Sequence, residues 1–408
     1  MTATPISRHH QLLVVGGGNA GLSVAAQLLL ADRGLDVAIL EPSAKHYYQP
    51  AWTLVGGGAY DIKDTVRPEG DYIPKGAQWI QDAAATFEPE ANTVVTAGGQ
   101  RLTYDYLVVC PGIQLDWHKI KGLPEALGKN GVCSNYGFEL APYTWECVQN
   151  FRGGTALFSA PNTPIKCGGA PQKIMYLACD SWRKRGVLDK ANVRYTSGGS
   201  VIFGVKSFAE ALLKVVQRYR IKTDFFHNLK EVRGESREAV YDVLKDGQVV
   251  DEVTLKFDML HVVPPMSAPD FIKHSPLAAP GNPLGWVDVD KHSLQHVRYP
   301  NIFSLGDAGS MPNAKTGAAI RKQAPVVVKN ILSLLKSKAL APDNAYHGYG
   351  SCPLITGYGK LILAEFDYDN NPTPTFPFDQ TQERFSMWLL KRYGLPWLYW
   401  NKILPGKA

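Results

Sequence analysis

The sequence predicts an α/β protein with two Rossmann-like dinucleotide-binding domains, the second inserted in the first, followed by an aromatic, amphipathic C-terminal tail. Three features indicate this architecture. They are a glycine-rich turn between two short apolar runs near the start of the chain, two widely separated apolar segments that each end at a glycine turn, and a closing stretch rich in Trp, Tyr and Phe. A length of 408 residues is enough for two domains with a sizeable core.

Composition and charge exclude several classes of protein. The net charge of +6 is spread along most of the chain without a basic run of nucleic-acid type, so we expect no nucleic acid partner. No Cys/His set has zinc-site spacing, so we expect no metal. The polar segment Met1–Gln11 lacks the pattern of a signal peptide, and no apolar stretch approaches the ~18 residues of a membrane span. We therefore expect the protein to stay in the cytosol, where it is made.

The first domain begins with a dinucleotide fingerprint. Apolar residues 12–15 lead into a glycine-rich turn, a helical stretch follows, and a second apolar run ends at Glu41. Glu41 follows the last glycine by about the 20 residues that the fingerprint requires. In this motif Gly16 permits the tight turn, Gly18 lets the backbone approach a pyrophosphate, and Gly21 lets the helix pack on the sheet. The helix N-terminus faces the phosphates, and the Glu41 carboxylate accepts hydrogen bonds from a ribose diol.

Two later segments indicate that the dinucleotide is FAD. The segment from Tyr104 to Gly112 resembles a strand of the flavin disulfide reductases that ends in glycine. The segment from Pro300 to Asp307 resembles their second FAD signature, in which the aspartate contacts the ribityl chain. The wide separation of the two segments implies that another domain is inserted between them.

The predicted domains follow from this insertion. Residues 1–150 and 285–345 form a discontinuous FAD-binding domain, residues 151–284 form the inserted domain, and residues 346–408 form the C-terminal region. The inserted domain opens with an apolar strand, after which a nicotinamide-binding relative would show a second glycine fingerprint. This chain instead has three prolines and a lysine between Ser159 and Pro171. Because proline lacks the N–H group that would bind a pyrophosphate, we expect no nicotinamide site.

Two of the six cysteines lie in contexts that suggest reactivity. Cys167 lies at a Lys-Cys-Gly-Gly turn just before a helix, where Lys166 and the helix N-terminus would stabilise a thiolate. Cys352 follows Tyr-Gly-Ser and precedes a proline, so we expect it on a loop. Three others lie in a core strand or in helix-like stretches and are interpreted as packing residues: Cys110, Cys147 and Cys179.

Several motifs then identify a family. They are YQPAWTLVGGG, PNTPIKCGGAPQK, SCPLITGY, AEFDY and FPFDQ, which begin at Tyr48, Pro161, Ser351, Ala364 and Phe376. Together they cover nearly the whole chain, and they are specific rather than generic. The chain resembles the sulfide:quinone oxidoreductases, and within them the subgroup that includes the mitochondrial enzymes.

The resemblance implies a reaction at the two cysteines. In the family they form a redox-active disulfide, or a sulfur-bridged trisulfide, beside the flavin. Hydrosulfide attacks one sulfur by thiol–disulfide exchange and leaves a persulfide on one cysteine and a thiolate on the other. By analogy Cys352 carries the persulfide and Cys167 faces the flavin. The sulfane sulfur leaves to a small acceptor, and two electrons pass through FAD to a quinone of the ubiquinone type.

Other positions are carried over by motif. Asn19 and Ala20 lie in the phosphate turn, Gln49 lies beside the flavin, and Ala84 lies on the strand whose backbone holds adenine. Lys315 matches a lysine that reaches the flavin ring, with a solvated surface lysine as the alternative. Cys133 stands where the mitochondrial-type enzymes have a small residue, whereas some bacterial relatives have a third functional cysteine in this region. Whether Cys133 is a bystander or takes part is left open.

The tail from Thr381 to Ala408 interleaves Trp and Tyr with Lys and Arg, as segments in a membrane interface do. We therefore expect a peripheral membrane protein on the cytoplasmic face of the bacterial inner membrane. A tail packed on the protein's own core, or an interface in a homo-oligomer, is the alternative. Truncation after about Asp379 is expected to leave a soluble, FAD-loaded protein that reacts poorly with membrane quinone.

Three other functions compete with sulfide oxidation. A type II NADH:quinone oxidoreductase has the same fold but needs a nicotinamide site and has no use for Cys167 and Cys352. The flavin subunit of a flavocytochrome sulfide dehydrogenase shares the cysteine pair but is exported. A non-catalytic flavoprotein would retain only the FAD fingerprint.

Overall fold

The computed structural model describes residues 7–408. The expectation for the segment Met1–Gln11 therefore rests mostly on residues 1–6, which lie outside the described residues. Within the described part, no helix is both long enough and apolar enough to cross a bilayer.

A seven-stranded sheet forms the core of the first domain. Its central strand, Ser7–Val15, pairs in parallel with Val37–Leu40 on one side and with Arg101–Val109 on the other. Leu12 to Val15 are almost fully buried, as expected for a strand covered by helices on both faces. The strand Ile302–Ser304 pairs with Arg101–Val109 although it lies far along the chain, so the first sheet is completed after the insertion. The remaining strands are Ala77–Ile80, Thr93–Thr96 and Ala84–Glu88.

Two helices on the first sheet begin beside the glycine turn. Asn19–Ala31 starts directly after Gly18, and Gly317–Ser337 packs against it. Gly21 is required by the close approach of the first helix to the glycine turn, because a Cβ atom there would lie 1.8 Å from the Gly16 carbonyl oxygen. The Asn19 side-chain amide donates to the Gly317 carbonyl oxygen at 3.2 Å, so the N-termini of the two helices lie close together.

The inserted domain holds a second, five-stranded parallel sheet. Its strands, in spatial order, are Val132–Cys133, Met259–Val262, Gly154–Ala160, Ala191–Ser197 and Lys222–Phe225. The helices Ala141–Asn150, Ala170–Lys184 and Lys206–Arg218 belong to this part, and an antiparallel sheet of His227–Arg233, Glu238–Lys245 and Gln248–Lys256 extends it. Because Val132–Cys133 pairs with Met259–Val262, the second sheet begins before residue 151, earlier than the predicted domain boundary.

Short elements complete the two domains. Lys45–Tyr47 pairs with Val66–Pro68, and Gln114–Leu115 pairs with Met266–Ser267. The short helices are Trp52–Gly56, Leu123–Ala126 and Asp270–Lys273.

The C-terminal region contains a β-hairpin of Gly350–Gly357 and Lys360–Phe366. The expectation that Cys352 lies on a loop is wrong, because Cys352 pairs with Ala364 inside this hairpin. Apolar residues 354, 355 and 361–363 are buried, and the first strand packs on the helix Ala170–Lys184. This packing, rather than the flanking glycine and proline, decides the local structure.

The tail is helical from Phe385 to Ile403, in α-helical and π-helical turns. Tyr399, Trp400, Ile403 and Leu404 are buried in the core of the first domain. Large apolar side chains nearer the start of the tail are exposed: Phe385, Leu389, Tyr393 and Trp397. The end of the tail therefore packs on the core, as the alternative interpretation expected, whereas contact of the four exposed side chains with a membrane stays a prediction.

Candidate active site

A cavity of about 500 Å³ joins the two domains and the tail. It extends from the glycine turn and Glu41 to Cys167. Nine of the residues predicted for the site line it: Gly18, Asn19, Ala20, Glu41, Gln49, Gly112, Cys167, Asp307 and Lys315. Four others do not line it: Gly16, Gly21, Ala84 and Cys352.

The four residues away from the cavity wall have different surroundings. Gly16 and Gly21 lie behind the turn, where Gly16 has a φ of 105° and faces the backbone of Cys110. Ala84 opens the strand Ala84–Glu88 at the edge of the first sheet, and its contact with adenine stays a prediction. Cys352 lies directly behind Cys167, so it belongs to the site through that contact.

The glycine turn places a carboxylate at one end of the cavity. The Gly17 and Ser43 N–H groups donate to the two oxygens of Glu41, each at 2.7 Å. Burial raises the pKa of the Glu41 carboxyl, while these two backbone hydrogen bonds lower it. A Cβ atom on Gly18 would meet no other atom within 4 Å, so the backbone there is open to a ligand.

The cavity contains buried polar atoms that fit a dinucleotide. Glu69 Oε1, both polar atoms of the Asn135 amide, and Thr316 Oγ1 have no hydrogen-bond partner within residues 7–408, and all three residues line the cavity. Thr316 precedes the helix Gly317–Ser337, whose first N–H groups also face this space. Unpaired buried polar atoms cost free energy, so donors and acceptors of a bound ligand would stabilise this arrangement.

The two candidate cysteines meet at the other end. Their sulfur atoms are 3.5 Å apart, although the residues belong to the inserted domain and the C-terminal hairpin. Cys167 has a φ of 59°, and its N–H donates to the Lys315 carbonyl oxygen at 2.7 Å. A Cβ atom on Gly169 would lie 2.6 Å from the Cys352 sulfur, so the approach of the hairpin requires glycine at this position.

The two thiols have opposite protonation tendencies. The hydrogen bond from Cys352 and the nearby charge of Lys173 hold the pKa of Cys167 well below its usual range. The hydrogen bond with Cys167 and burial raise the pKa of Cys352. Cys167 is therefore the more acidic of the two thiols.

The lysine at the sulfur is Lys173, not Lys166. Lys173 Nζ donates to Cys167 Sγ at 3.0 Å, whereas Lys166 Nζ donates to Gln49 Oε1 at 2.6 Å. Burial lowers the pKa of Lys166 to about 8. Burial also disfavours a charged Lys173, but the neighbouring sulfurs outweigh it and raise the pKa of its ammonium group. Helical side chains point toward the helix N-terminus, so the position of Lys173 in the first turn of Ala170–Lys184 was a usable signal.

Lys315 is a cavity residue rather than a solvated surface lysine. Its ammonium group donates to the carbonyl oxygens of Asp307 and Gly309 at 2.7 and 3.0 Å, and lies 3.8 Å from the centre of the Trp286 ring. Burial lowers the pKa of Lys315 to about 8, against the attraction of Asp307. Burial also raises the pKa of the Asp307 carboxyl.

Sequence reasoning missed a third buried lysine, Lys391 of the tail. Lys391 Nζ donates to the Pro50 carbonyl oxygen at 2.9 Å, and the residue lines the cavity. Burial, followed by the charge of Lys173, lowers the pKa of Lys391 to about 7. In an amphipathic tail this residue has the same sequence pattern as a surface charge, so the sequence offers no signal for its role.

The other four cysteines are not part of the contact between Cys167 and Cys352. Cys110 and Cys179 are buried as predicted, and Cys147 is partly buried on the helix Ala141–Asn150. Cys133 is fully buried in the second sheet, where burial raises the pKa of its thiol. Cys133 does not line the cavity.

Comparison with known proteins gives the family. Residues 10–141 match the family described as pyridine nucleotide-disulphide oxidoreductase. The mitochondrial sulfide:quinone oxidoreductases of Mus musculus and Dictyostelium discoideum are each 46% identical to this chain, over 98% and 97% of it and 87% and 86% of their own lengths. The solved sulfide:quinone oxidoreductase of Aquifex aeolicus shares the fold, with a TM-score of 0.80, 21% identity, and coverage of 98% of this chain and 92% of that one. The chain belongs to the sulfide:quinone oxidoreductase family.

Proposed function

We propose that this protein oxidises hydrogen sulfide at Cys167 and Cys352, with FAD in the cavity and a membrane quinone as electron acceptor. The observation that carries the proposal is the pair of sulfur atoms 3.5 Å apart, beside Lys173 and at one end of a cavity whose other end is a dinucleotide fingerprint. Membership of the family implies a flavin. The fingerprint with Glu41 supports FAD, because the acid of this motif binds the ribose in the adenosine half of a dinucleotide.

Residues along the cavity are suited to hold FAD. The glycine turn with Asn19 and Ala20 would bind the pyrophosphate, and Glu41 would bind the adenosine ribose. Asp307, Gln49 and Lys315 lie toward the sulfur end and would contact the ribityl chain and ring. When bound, FAD accepts two electrons from the sulfur chemistry and passes them to the quinone.

The cysteine pair supplies the sulfur chemistry. In the oxidised pair, hydrosulfide attacks the Cys352 sulfur, the bond to Cys167 breaks, and Cys352 carries a persulfide while Cys167 leaves as a thiolate. The low pKa of Cys167 and its contact with Lys173 support this order, because a low-pKa thiol is the better leaving group. In a trisulfide-bridged pair the attack would fall on the bridge in the same way.

Turnover then requires a sulfur acceptor. A small nucleophile removes the outer sulfur of the persulfide and leaves two reduced cysteines. Oxidation of the Cys352 thiol and the Cys167 thiolate re-forms the bond between the two sulfurs, with loss of one proton and two electrons, and restores the oxidised pair. FAD would be the acceptor of these two electrons.

The loop before Cys167 supports sulfide rather than a nicotinamide as the electron donor. Its N–H groups are used within the protein: Asn162 donates to Asn228 Oδ1, Lys166 to Met266 Sδ, and Cys167 to the Lys315 carbonyl. Few donors are therefore free to bind a second pyrophosphate, which disfavours the NADH:quinone alternative.

The exposed part of the tail supports contact with a membrane surface. Phe385, Leu389, Tyr393 and Trp397 recur every fourth residue and form one stripe, which we call the tail stripe. Arg392 and Lys402 lie 5.2 and 5.9 Å from the rings of Tyr393 and Trp397. An aromatic stripe with adjacent cations suits a lipid headgroup region. The neighbouring residues Lys391, Leu395 and Leu398 line the cavity and would receive the quinone from this side.

The expected compartment needs correction. The Mus musculus and Dictyostelium discoideum relatives are named as mitochondrial, so they do not support placement at the bacterial inner membrane. We propose association with a quinone-containing membrane without assigning the compartment.

Cys167→Ser and Cys352→Ser should each abolish sulfide-driven quinone reduction while flavin stays bound. Serine preserves size but cannot form a disulfide or a persulfide. Because the two sulfurs act as one unit, the double variant should be about as inactive as either single variant. Cys147→Ser and Cys179→Ser are the controls and should keep turnover, with at most about 1–2 kcal/mol lost in stability. Full activity in Cys167→Ser or Cys352→Ser would refute the proposed reaction.

Lys173→Met should raise the pKa of Cys167, because it removes the positive charge next to the thiolate. The alkylation rate of the reduced protein, measured against pH, should have its midpoint moved upward by about 1–3 pH units. At neutral pH the reaction should slow, because less of the thiol is ionised. Lys166→Met is the control and should leave the midpoint near its original pH. If the midpoint shifted in Lys166→Met but not in Lys173→Met, Lys166 rather than Lys173 would be the lysine that stabilises the Cys167 thiolate.

NADH and NADPH should reduce the bound flavin negligibly compared with sulfide. The measurement is anaerobic stopped-flow absorbance of the wild-type protein with each donor in turn. Sulfide in the same preparation is the control for a competent flavin. Flavin bleaching by NADH at a rate similar to that with sulfide would favour the NADH:quinone alternative.

Phe385→Ser combined with Trp397→Ser should weaken binding to lipid vesicles by about tenfold or more, because two large apolar side chains leave the tail stripe. Activity with a water-soluble quinone should be kept. Val249→Ser combined with Val250→Ser is the matched control, because both valines are 58% exposed outside the tail. If this double variant bound vesicles as the wild type does, and light scattering showed that it had lost an oligomer, the tail stripe would be an interface between copies of the chain.

A further inference from the structure

A buried hydrogen-bonded chain links the end of the tail to the cavity wall. His46 Nδ1 and Glu69 Oε2 are 2.8 Å apart, and His46 Nε2 and the Tyr399 hydroxyl are 2.6 Å apart. All three residues are buried, and all three line the cavity. In the tautomer that fits these contacts, the Nδ1–H of His46 donates to Glu69 Oε2, and Nε2 hydrogen-bonds with the Tyr399 hydroxyl. These two hydrogen bonds hold the Glu69 side chain in one orientation.

The second oxygen of Glu69 has no partner. Glu69 is 2% exposed, and its Oε1 meets no hydrogen-bond donor within residues 7–408. A Cβ atom built on Gly17 would lie 2.7 Å from this oxygen and 2.7 Å from Cγ of Glu41. The unpaired oxygen therefore lies close to the Glu41 side chain, at the end of the cavity formed by the glycine turn, where the adenosine half would bind.

A buried carboxylate oxygen at this position needs a hydrogen-bond donor. Both oxygens of Glu41 already accept backbone N–H groups, so Glu41 has reduced capacity for a ribose diol. The hydroxyl groups of an adenosine ribose are donors that a dinucleotide brings to this end of the cavity. We propose that Glu69 is a second ribose-binding carboxylate that accepts a hydrogen bond from an adenosine ribose hydroxyl, and that Tyr399 positions it through His46. This inference rests on the proposed binding of FAD.

The surroundings of Tyr399 hold the end of the tail against this site. Trp400 packs against Tyr72, with ring centres 5.0 Å apart, and Arg67 lies 4.4 Å over the Trp400 ring. The Ser23 hydroxyl donates to the Ile403 carbonyl oxygen at 3.2 Å, which connects the tail to the helix Asn19–Ala31. Because Tyr399 and Ile403 also line the cavity, the end of the tail forms part of the wall at the adenosine end. Truncation after Asp379 should accordingly cost flavin affinity, contrary to the expectation from the sequence.

The test compares FAD with two analogues that lack one adenosine ribose hydroxyl, the 2′-deoxy and the 3′-deoxy forms. Holoprotein is equilibrated with mixtures of FAD and one analogue, and the bound ratio is measured by chromatography. The ratio reports discrimination at the ribose and is insensitive to a uniform loss of stability. The variants are Glu69→Ala, Glu69→Gln and Tyr399→Phe. Asp71→Asn in the same turn and Tyr393→Phe in the exposed tail are the matched controls.

The wild type should favour FAD over at least one analogue by about tenfold to a hundredfold, as expected for a hydrogen bond to a charged acceptor. Glu69→Ala should lose about tenfold or more of that preference, and Glu69→Gln and Tyr399→Phe should lose part of it. Both controls should match the wild type. If Glu69→Ala kept the wild-type preference for FAD over both analogues, the role of Glu69 would be refuted, and the proposal that the protein binds FAD would stand. Wild-type protein that holds no FAD would overturn the proposed cofactor and this inference together.

Discussion

The contact between the sulfur atoms of Cys167 and Cys352 is the constraint on which the rest of the site depends. Cys167 lies in the loop before the helix Ala170–Lys184, whereas Cys352 lies in the C-terminal hairpin. Their sulfurs meet at 3.5 Å because the strand Gly350–Gly357 packs on that helix. Gly169 must lack a side chain for this approach, and Cys167 must take a left-handed backbone conformation. The close approach of the two sulfurs is therefore a product of the complete fold, and damage to either domain or to the hairpin would separate them.

Buried positive charge is the second feature of the site. Lys173, Lys315 and Lys391 are each less than a tenth exposed, and Lys166 is close by. Burial alone disfavours a charged lysine, so these ammonium groups need anionic partners. Lys173 has the Cys167 sulfur as a partner, whereas burial lowers the pKa of Lys166, Lys315 and Lys391. A cavity of this kind would attract hydrosulfide and the phosphates of a dinucleotide.

The sequence was most informative where the signal is local. The turn, the helix Asn19–Ala31 and Glu41 lie in one continuous unit, so their relation follows from spacing alone. The meeting of Cys167 and Cys352 came from family motifs, because no local pattern relates residues of two domains. Side-chain direction was the harder problem, since Lys166 is adjacent to Cys167 in sequence but turns to Gln49, while Lys173 turns back to the sulfur.

The tail shows a further limit of sequence reasoning. Its composition predicted an interfacial helix, and one face does expose the tail stripe, but composition does not say which aromatic residues pack on the protein. Tyr399 is buried against His46 because of a tertiary contact between residues far apart in the chain. A buried lysine on the same segment, Lys391, reaches the site for the same reason.

Anaerobic titration of the purified protein with sulfide, followed by a short-chain quinone, tests sulfide oxidation at the cysteine pair directly. Sulfide should bleach the flavin absorbance band and quinone should restore it, with sulfane sulfur formed in proportion to the sulfide consumed. A flavin that stays oxidised in excess sulfide, in protein whose two cysteines are bonded to sulfur beforehand, would refute sulfide oxidation by this pair.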